Sequence, residues 1–246
     1  MHCPKAFGVT EPPVPGAGPA RPGISRARLA HIAAWSIELP DDEAERACAG
    51  IVEKTFARGA CICPKNTVLE SWTGVVTGLI KIGTVSPEGR SVTFTGVPAG
   101  GWFGEGTVLK NEPRRYDIVA LRDTRMAFME RPTFMWLVEH SVAFNRFLVR
   151  QLNERLSHFM ALLEYDRLLD ATPRLARCLA SLFNPVLYPG GGDHLDITQE
   201  ELGLLSGITR QVANQSLKTL QKEGLVRLEY GGITVVDLAR LRCYGA

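Results

Sequence analysis

One segment constrains the fold of this chain more than any other: residues 196–237, DITQEELGLLSGITRQVANQSLKTLQKEGLVRLEYGGITVVD. It reads as two short amphipathic helices parted by a glycine and followed by a β-hairpin. Thr198 and Glu201 form a capping box that starts the first helix. Its apolar residues Leu202, Leu204 and Leu205 lead to Gly207, which can take the positive φ of a tight helix-helix turn. Thr209 offers a hydroxyl N-cap to the second helix, whose inward stripe is read as Val212, Ala213, Leu217 and Leu220. That leaves Arg210, Gln211, Asn214, Gln215 and Lys218 outward, a first turn of long polar side chains able to reach base edges in a major groove. Gly224 ends the helix, and LVRLEY and ITVVD flank a Gly-Gly turn as a wing.

Bulk charge does not advertise such a role. The 246 residues carry a formal charge of only +2, so phosphate contact falls to local cations: Arg210, Lys218, Lys222 and Arg227. The six cysteines, Cys3, Cys48, Cys61, Cys63, Cys178 and Cys243, match no zinc or disulfide spacing and read as reduced thiols. With no apolar run of membrane length and no secretory leader, the expected setting is cytoplasmic, without membrane contact. No HExxH, P-loop, nucleophile elbow or paired-carboxylate cassette is present, so an enzyme is not expected.

The rest of the chain divides into three. Residues 1–27 form a Pro- and Gly-rich tail, expected to be disordered. Residues 28–138 contain short β runs broken by Gly and Pro, which predict an antiparallel β-roll with Ile118, Ala120, Met126 and Phe128 inward. Residues 139–170 contain neither Pro nor Gly and predict one helix of about 48 Å. On it Leu148, Leu152, Leu156, Phe159 and Leu163 make an apolar seam suited to a second copy of the helix, hence a homodimer. Residues 171–246 hold the helix pair and wing. The fold class expected is α+β.

Within the roll, GGWFGEGTVLKNEPRRYD sets Gly104 and Glu105 ten residues before Arg115 and Tyr116. Backbone amides suit an anion, a carboxylate suits ribose hydroxyls, and an Arg fork suits a phosphate diester.

In this order the three parts resemble the Crp/Fnr family of bacterial transcription regulators over residues 29–244. The resemblance implies a cyclic-nucleotide-binding-like β-roll, a dimerisation helix and a winged helix-turn-helix. It implies ribose contact by Glu105, phosphate contact by Arg115, double-stranded DNA with a palindromic site as partner, and RNA polymerase as a further one. The effector would be a cyclic nucleotide or another small molecule. Against cyclic AMP, Tyr116 and Asp117 stand where the family has small residues, and Phe159 and Met160 stand where cyclic-AMP-responsive members have a Thr-Ser pair. Neither an iron-sulfur cluster nor haem is supported, since Cys3 stands alone in the tail and His31, His140, His158 and His194 are isolated. On the recognition helix Arg210 matches the family and should pair with guanine, while Gln211 and Gln215 replace an acidic residue and a second Arg, implying an altered half-site. Two alternatives stay open: a cyclic-AMP-responsive regulator, and an effector module acting mainly through protein contacts.

Overall fold

The computed structural model describes residues 23–245. Residues 1–22 of the Pro-rich tail lie outside that range. The expected boundary at residue 27 is late, because helix α1 (Arg26–Ile32) already starts there, capped by the Ser25 hydroxyl on the Arg28 N–H. A 3-10 turn (Ala34–Glu38) and α2 (Asp41–Ala49) follow, the latter with three acids in its first turn where the helix dipole favours them.

The β-roll comprises β1 (Ile51–Phe56), β2 (Cys61–Cys63), β3 (Ser71–Thr77), β4 (Leu79–Val85), β5 (Ser91–Pro98), β6 (Trp102–Phe103), the short α3 (Glu105–Lys110), β7 (Asp117–Ala120) and β8 (Thr124–Glu130). The strands form two four-stranded antiparallel sheets, ordered β1-β8-β3-β6 and β2-β7-β4-β5. Their facing sides bury Val75, Ile80, Val97, Phe103, Ile118, Met126 and Phe128. Of the residues expected inward, Ile118, Met126 and Phe128 are in this core, and Ala120 is buried outside it.

The helix expected over residues 139–170 starts three residues late, and a separate helix fills most of the range read as the end of the roll. α4 (Arg131–His140) ends at Ser141, whose hydroxyl caps a new helix, α5 (Val142–Leu168), by accepting from the Phe144 N–H at 3.0 Å. The cap fixes a helix start that apolar spacing alone does not show. At 27 residues α5 spans about 40 Å. Its inner face, Phe144, Leu148, Gln151 and His158, is buried. Phe144 and Leu148 join Trp35, Trp72, Trp102 and Phe134 in an aromatic core where ring centroids lie 4.5–5.6 Å apart.

Beyond α5 come α6 (Ala171–Ser181), β9 (His194–Leu195), α7 (Gln199–Leu205), α8 (Arg210–Lys222), β10 (Val226–Glu229), β11 (Gly232–Val235) and α9 (Leu238–Arg242). β10, β11 and β9 form an antiparallel sheet in that order, so the wing has one more strand than the hairpin read from sequence. The capping box at Thr198 and Glu201 is complete, and Gly207 takes φ +65° between α7 and α8. No helix among the described residues is long and apolar enough to cross a membrane. Cys48, Cys63, Cys178 and Cys243 are free thiols, while Cys61 is disulfide-bonded and departs from the reduced reading.

Candidate effector pocket and DNA-reading surface

The reading surface is built by helical periodicity. On α8, Ala213, Leu217 and Leu220 are fully buried and Ser216 nearly so, which fixes the opposite face. Arg210, Gln211, Gln215 and Lys218 are exposed on it, and Asn214 is half-buried at its edge. Thr209 caps the helix, its hydroxyl accepting from the Val212 N–H at 3.3 Å. Val212 is exposed, not part of the inward stripe. It sits one turn before Ser216, and Ser216 instead packs inward to meet Thr172 of α6 at 2.9 Å. Arg210 and Lys218 form no ion pair among the described residues, so their charges face solvent uncommitted. At the wing tip Tyr230 is fully exposed, beside Arg227, which pairs with Glu229 at 2.9 Å.

The effector cassette lies at the mouth of the roll and lines a cavity of about 310 Å³ together with Phe94, Thr95, Phe103, Arg155 and Phe159. Gly104 takes φ +90°, and a Cβ there would lie 2.4 Å from the Arg114 guanidinium, so only glycine fits. Glu105 is buried at the start of α3. Its Oε1 lies 3.2 Å from Arg155 Nε, while its Oε2 is buried without a hydrogen-bond partner. Arg155 also donates to the Trp102 carbonyl at 2.7 Å, which accepts from Gln151 too. The helix is thereby bonded to the floor of the roll.

The two neighbouring arginines have opposite fates. Arg114 is fully buried and donates to Tyr116 Oη at 3.2 Å and the Ser71 carbonyl at 3.3 Å. Arg115 is exposed at the cavity rim, as expected for a ligand contact. Tyr116 also lines the cavity, whereas Asp117 turns away to accept from the Lys65 N–H at 2.8 Å. The carboxylate expected to repel a phosphate is therefore not in the pocket. A larger cleft of about 910 Å³ runs along the outer side of the second sheet past Lys81 and Asp117 to Glu201, and includes neither Glu105 nor Arg115.

Arg155, Phe94 and Thr95 were not among the residues singled out from sequence. Arg155 stands four residues before Phe159, so the i, i+4 rule on α5 places both on one face and could have found it. The strand residues carried no comparable signal. His158, also on α5, is buried with Nε2 3.5 Å from Thr95 Oγ1. Burial, and then the charge of Arg155, lower its imidazole to about 4.

The proposed dimer seam is partly displaced. Leu152, Leu156, Phe159 and Leu163 are exposed on α5, with Val149 and Met160 beside them. Leu148 is a correction: at 5% exposure it belongs to the protomer's own core, because it shares the inner face with Phe144.

Comparison with known proteins separates the chain at the same joints. Residues 53–141 match the cyclic nucleotide-binding domain, and residues 173–244 match the Crp-like helix-turn-helix domain. The chain belongs to the Crp/Fnr family. The Crp/Fnr protein is 28% identical over 190 residues to the CRP-like cAMP-activated global transcriptional regulator of Mycobacterium tuberculosis, covering 76% of this chain and 84% of that one. It is 27% identical to the transcriptional regulator LdrP of Thermus thermophilus, covering 76% and 94%. In fold it resembles FixK2 from Bradyrhizobium japonicum, with TM-score 0.67 at 19% identity over 80% of this chain and 98% of that one. It is a DNA-binding transcription regulator of the Crp/Fnr type and not an enzyme.

Proposed function

We propose that the protein acts in the cytoplasm as a homodimer that reads a palindromic duplex and senses a small effector other than cyclic AMP. Residues 28–138 serve as the sensing part, the outer face of α5 as the dimer seam through Leu152, Leu156, Phe159 and Leu163, and residues 171–246 as the DNA-reading part. Bound near a promoter, the dimer meets RNA polymerase. The observation that carries the DNA reading is the exposed, unpaired face of α8 opposite fully buried Ala213, Leu217 and Leu220. Arg210 bonds guanine O6 and N7, Gln211 and Gln215 bond neighbouring base edges, and Thr209, Asn214 and Lys218 meet the backbone.

The effector reading rests on the cavity. The unpartnered, buried Oε2 of Glu105 suits a hydroxyl donor, and Arg115 at the rim suits an anion. A ribose phosphate satisfies both. The base edge fares worse: Phe159 offers no hydrogen bond, Met160 is outside the cavity, and Tyr116 fills space beside Arg115. Several relatives carry cyclic AMP activation in their names; this lining favours a different anionic, hydroxyl-bearing molecule.

Selection of binding sites from a random duplex pool, with and without cyclic AMP, tests both parts. The expected result is one palindrome enriched equally in the two pools. Enrichment only with cyclic AMP overturns the effector reading, and no palindrome in either pool points to an effector absent from both or to action mainly through protein contacts.

A further inference from the structure

The α5–α6 joint is not the sole connection between the winged unit and the roll. The unit is seated on the roll at two glycines, Gly96 of β5 and Gly101 in the turn after it. A Cβ on Gly96 would lie 3.2 Å from Leu182 Cδ2 and 3.6 Å from Leu205 Cδ1, and one on Gly101 would lie 2.9 Å from the Tyr188 ring. Tyr188 is buried there, its hydroxyl donating to the Gly96 carbonyl at 3.2 Å. Leu79 and Leu121 of the roll share one buried cluster with Leu202 and Leu217 of the helix pair. A single ion pair crosses this seam among the described residues. Arg122, in the turn between β7 and β8, donates two hydrogen bonds to Glu201 of α7, at 2.8 and 2.7 Å. Both side chains are largely buried, and the same carboxylate closes the α7 capping box by accepting from the Thr198 N–H at 2.8 Å. A bidentate guanidinium–carboxylate pair fixes angle as well as distance. The reading residues Arg210, Gln211, Gln215 and Lys218 remain exposed with this seat closed, so docking leaves the DNA face free.

We propose that the Arg122–Glu201 bridge is a specificity determinant for DNA: by holding the winged unit at one angle on the roll, it sets the half-site spacing that the dimer accepts. This rests on the dimeric DNA reading proposed above. Two half-sites must present the same groove about one helical turn, roughly 34 Å, apart. Winged units that swing about the α5–α6 joint accommodate several spacers, whereas seated ones accommodate one. Arg122 and Glu201 thus act as positioning residues without touching a base.

The test uses the full chain, its selected palindrome, and duplexes whose spacer is longer or shorter by one and two base pairs. Fluorescence anisotropy gives the affinity for each, with analytical ultracentrifugation of the wild-type complex for its stoichiometry. The variants are Arg122→Gln and Glu201→Gln. Glutamine at the third helical position keeps the capping box, so Glu201→Gln removes the charge pair while leaving the start of α7 intact. The wild type should prefer one spacer, and each variant should lower that preference roughly tenfold, as coupling through one contact allows. The double variant should add little to either single one, because both break the same bridge. An unchanged spacer preference in both variants overturns the proposal, including the case where all duplexes weaken equally. Wild-type binding as a monomer on one half-site overturns the dimer reading itself, before any variant is compared.

Discussion

The DNA-reading face and the effector pocket handle polar side chains in opposite ways. On α8 the polar groups are exposed and committed to nothing inside the protein: Arg210 and Lys218 wait for a partner that is external. In the pocket most polar groups are partnered inside the protein, the Glu105 Oε2 and the rim guanidinium of Arg115 excepted. Glu105 holds Arg155, Lys110 holds Glu112 at 2.8 Å, Thr107 donates to the Gly104 carbonyl, and Arg114 donates to Tyr116. The difference teaches where each group acts: Arg210 and Lys218 are free for an outside partner, whereas the pocket's Glu105–Arg155 pair joins α5 to the roll before any ligand arrives.

The sharpest way to break that contrast is to remove one partner in the pocket. Arg155→Ala leaves the buried Glu105 carboxylate without its cation, and a pair broken from one side costs about 3 kcal/mol or more. Adding Glu105→Gln to it should recover much of the loss. Urea unfolding of the full chain measures both; a loss under about 1 kcal/mol for Arg155→Ala would show that the pair is not structural.

His158 gives a pH handle on the same side of the comparison. Its folded value of about 4 lies below the ordinary 6.5. Between those limits the unfolded chain binds a proton that the folded chain refuses. Stability is therefore untouched above pH 6.5 and declines as the pH falls toward 4, by up to roughly 3 kcal/mol at the lower limit. His158→Gln should flatten that part of the profile relative to the wild type, and parallel profiles would place the imidazole in water instead.

On the reading face the effects should be smaller and confined to DNA. Arg210→Ala should weaken the cognate site by about 1–3 kcal/mol and relax preference at one base pair, with unfolding changed by no more than about 0.5 kcal/mol. If every sequence weakens alike, Arg210 is a phosphate contact. Lys218→Ala is the smallest change: a uniform loss with the salt slope reduced by about 1, read from affinity against ionic strength.

The same division explains what could be read from the linear chain. Residues 196–237 form a local unit whose caps, glycine turn and apolar stripe lie within a few residues of one another, so Thr198, Glu201, Gly207, Thr209 and the outward face of α8 are all where short-range rules put them. The β-roll was legible as alternation and turns: Ile118, Met126 and Phe128 fill the core between the sheets and Ala120 is buried beside them, as a period of two predicts. Glu105 and Arg115 could be named because they stand ten residues apart in one cassette.

What only the tertiary structure decided is which side chains meet across long sequence separations. Arg155 reaches Glu105 from fifty residues away, and Arg122 reaches Glu201 from seventy-nine. Leu148 was sorted inward and Leu156 outward by the aromatic core that α5 packs against, not by their common spacing. Ser141 set the start of α5 three residues after the expected Glu139, because its hydroxyl met a backbone N–H that apolar periodicity does not register. Local hydrogen bonds and periodic burial are properties of neighbouring residues, and the sequence determines them directly. Ion pairs that join distant elements depend on how the elements come to lie, and that is settled only when the whole chain packs.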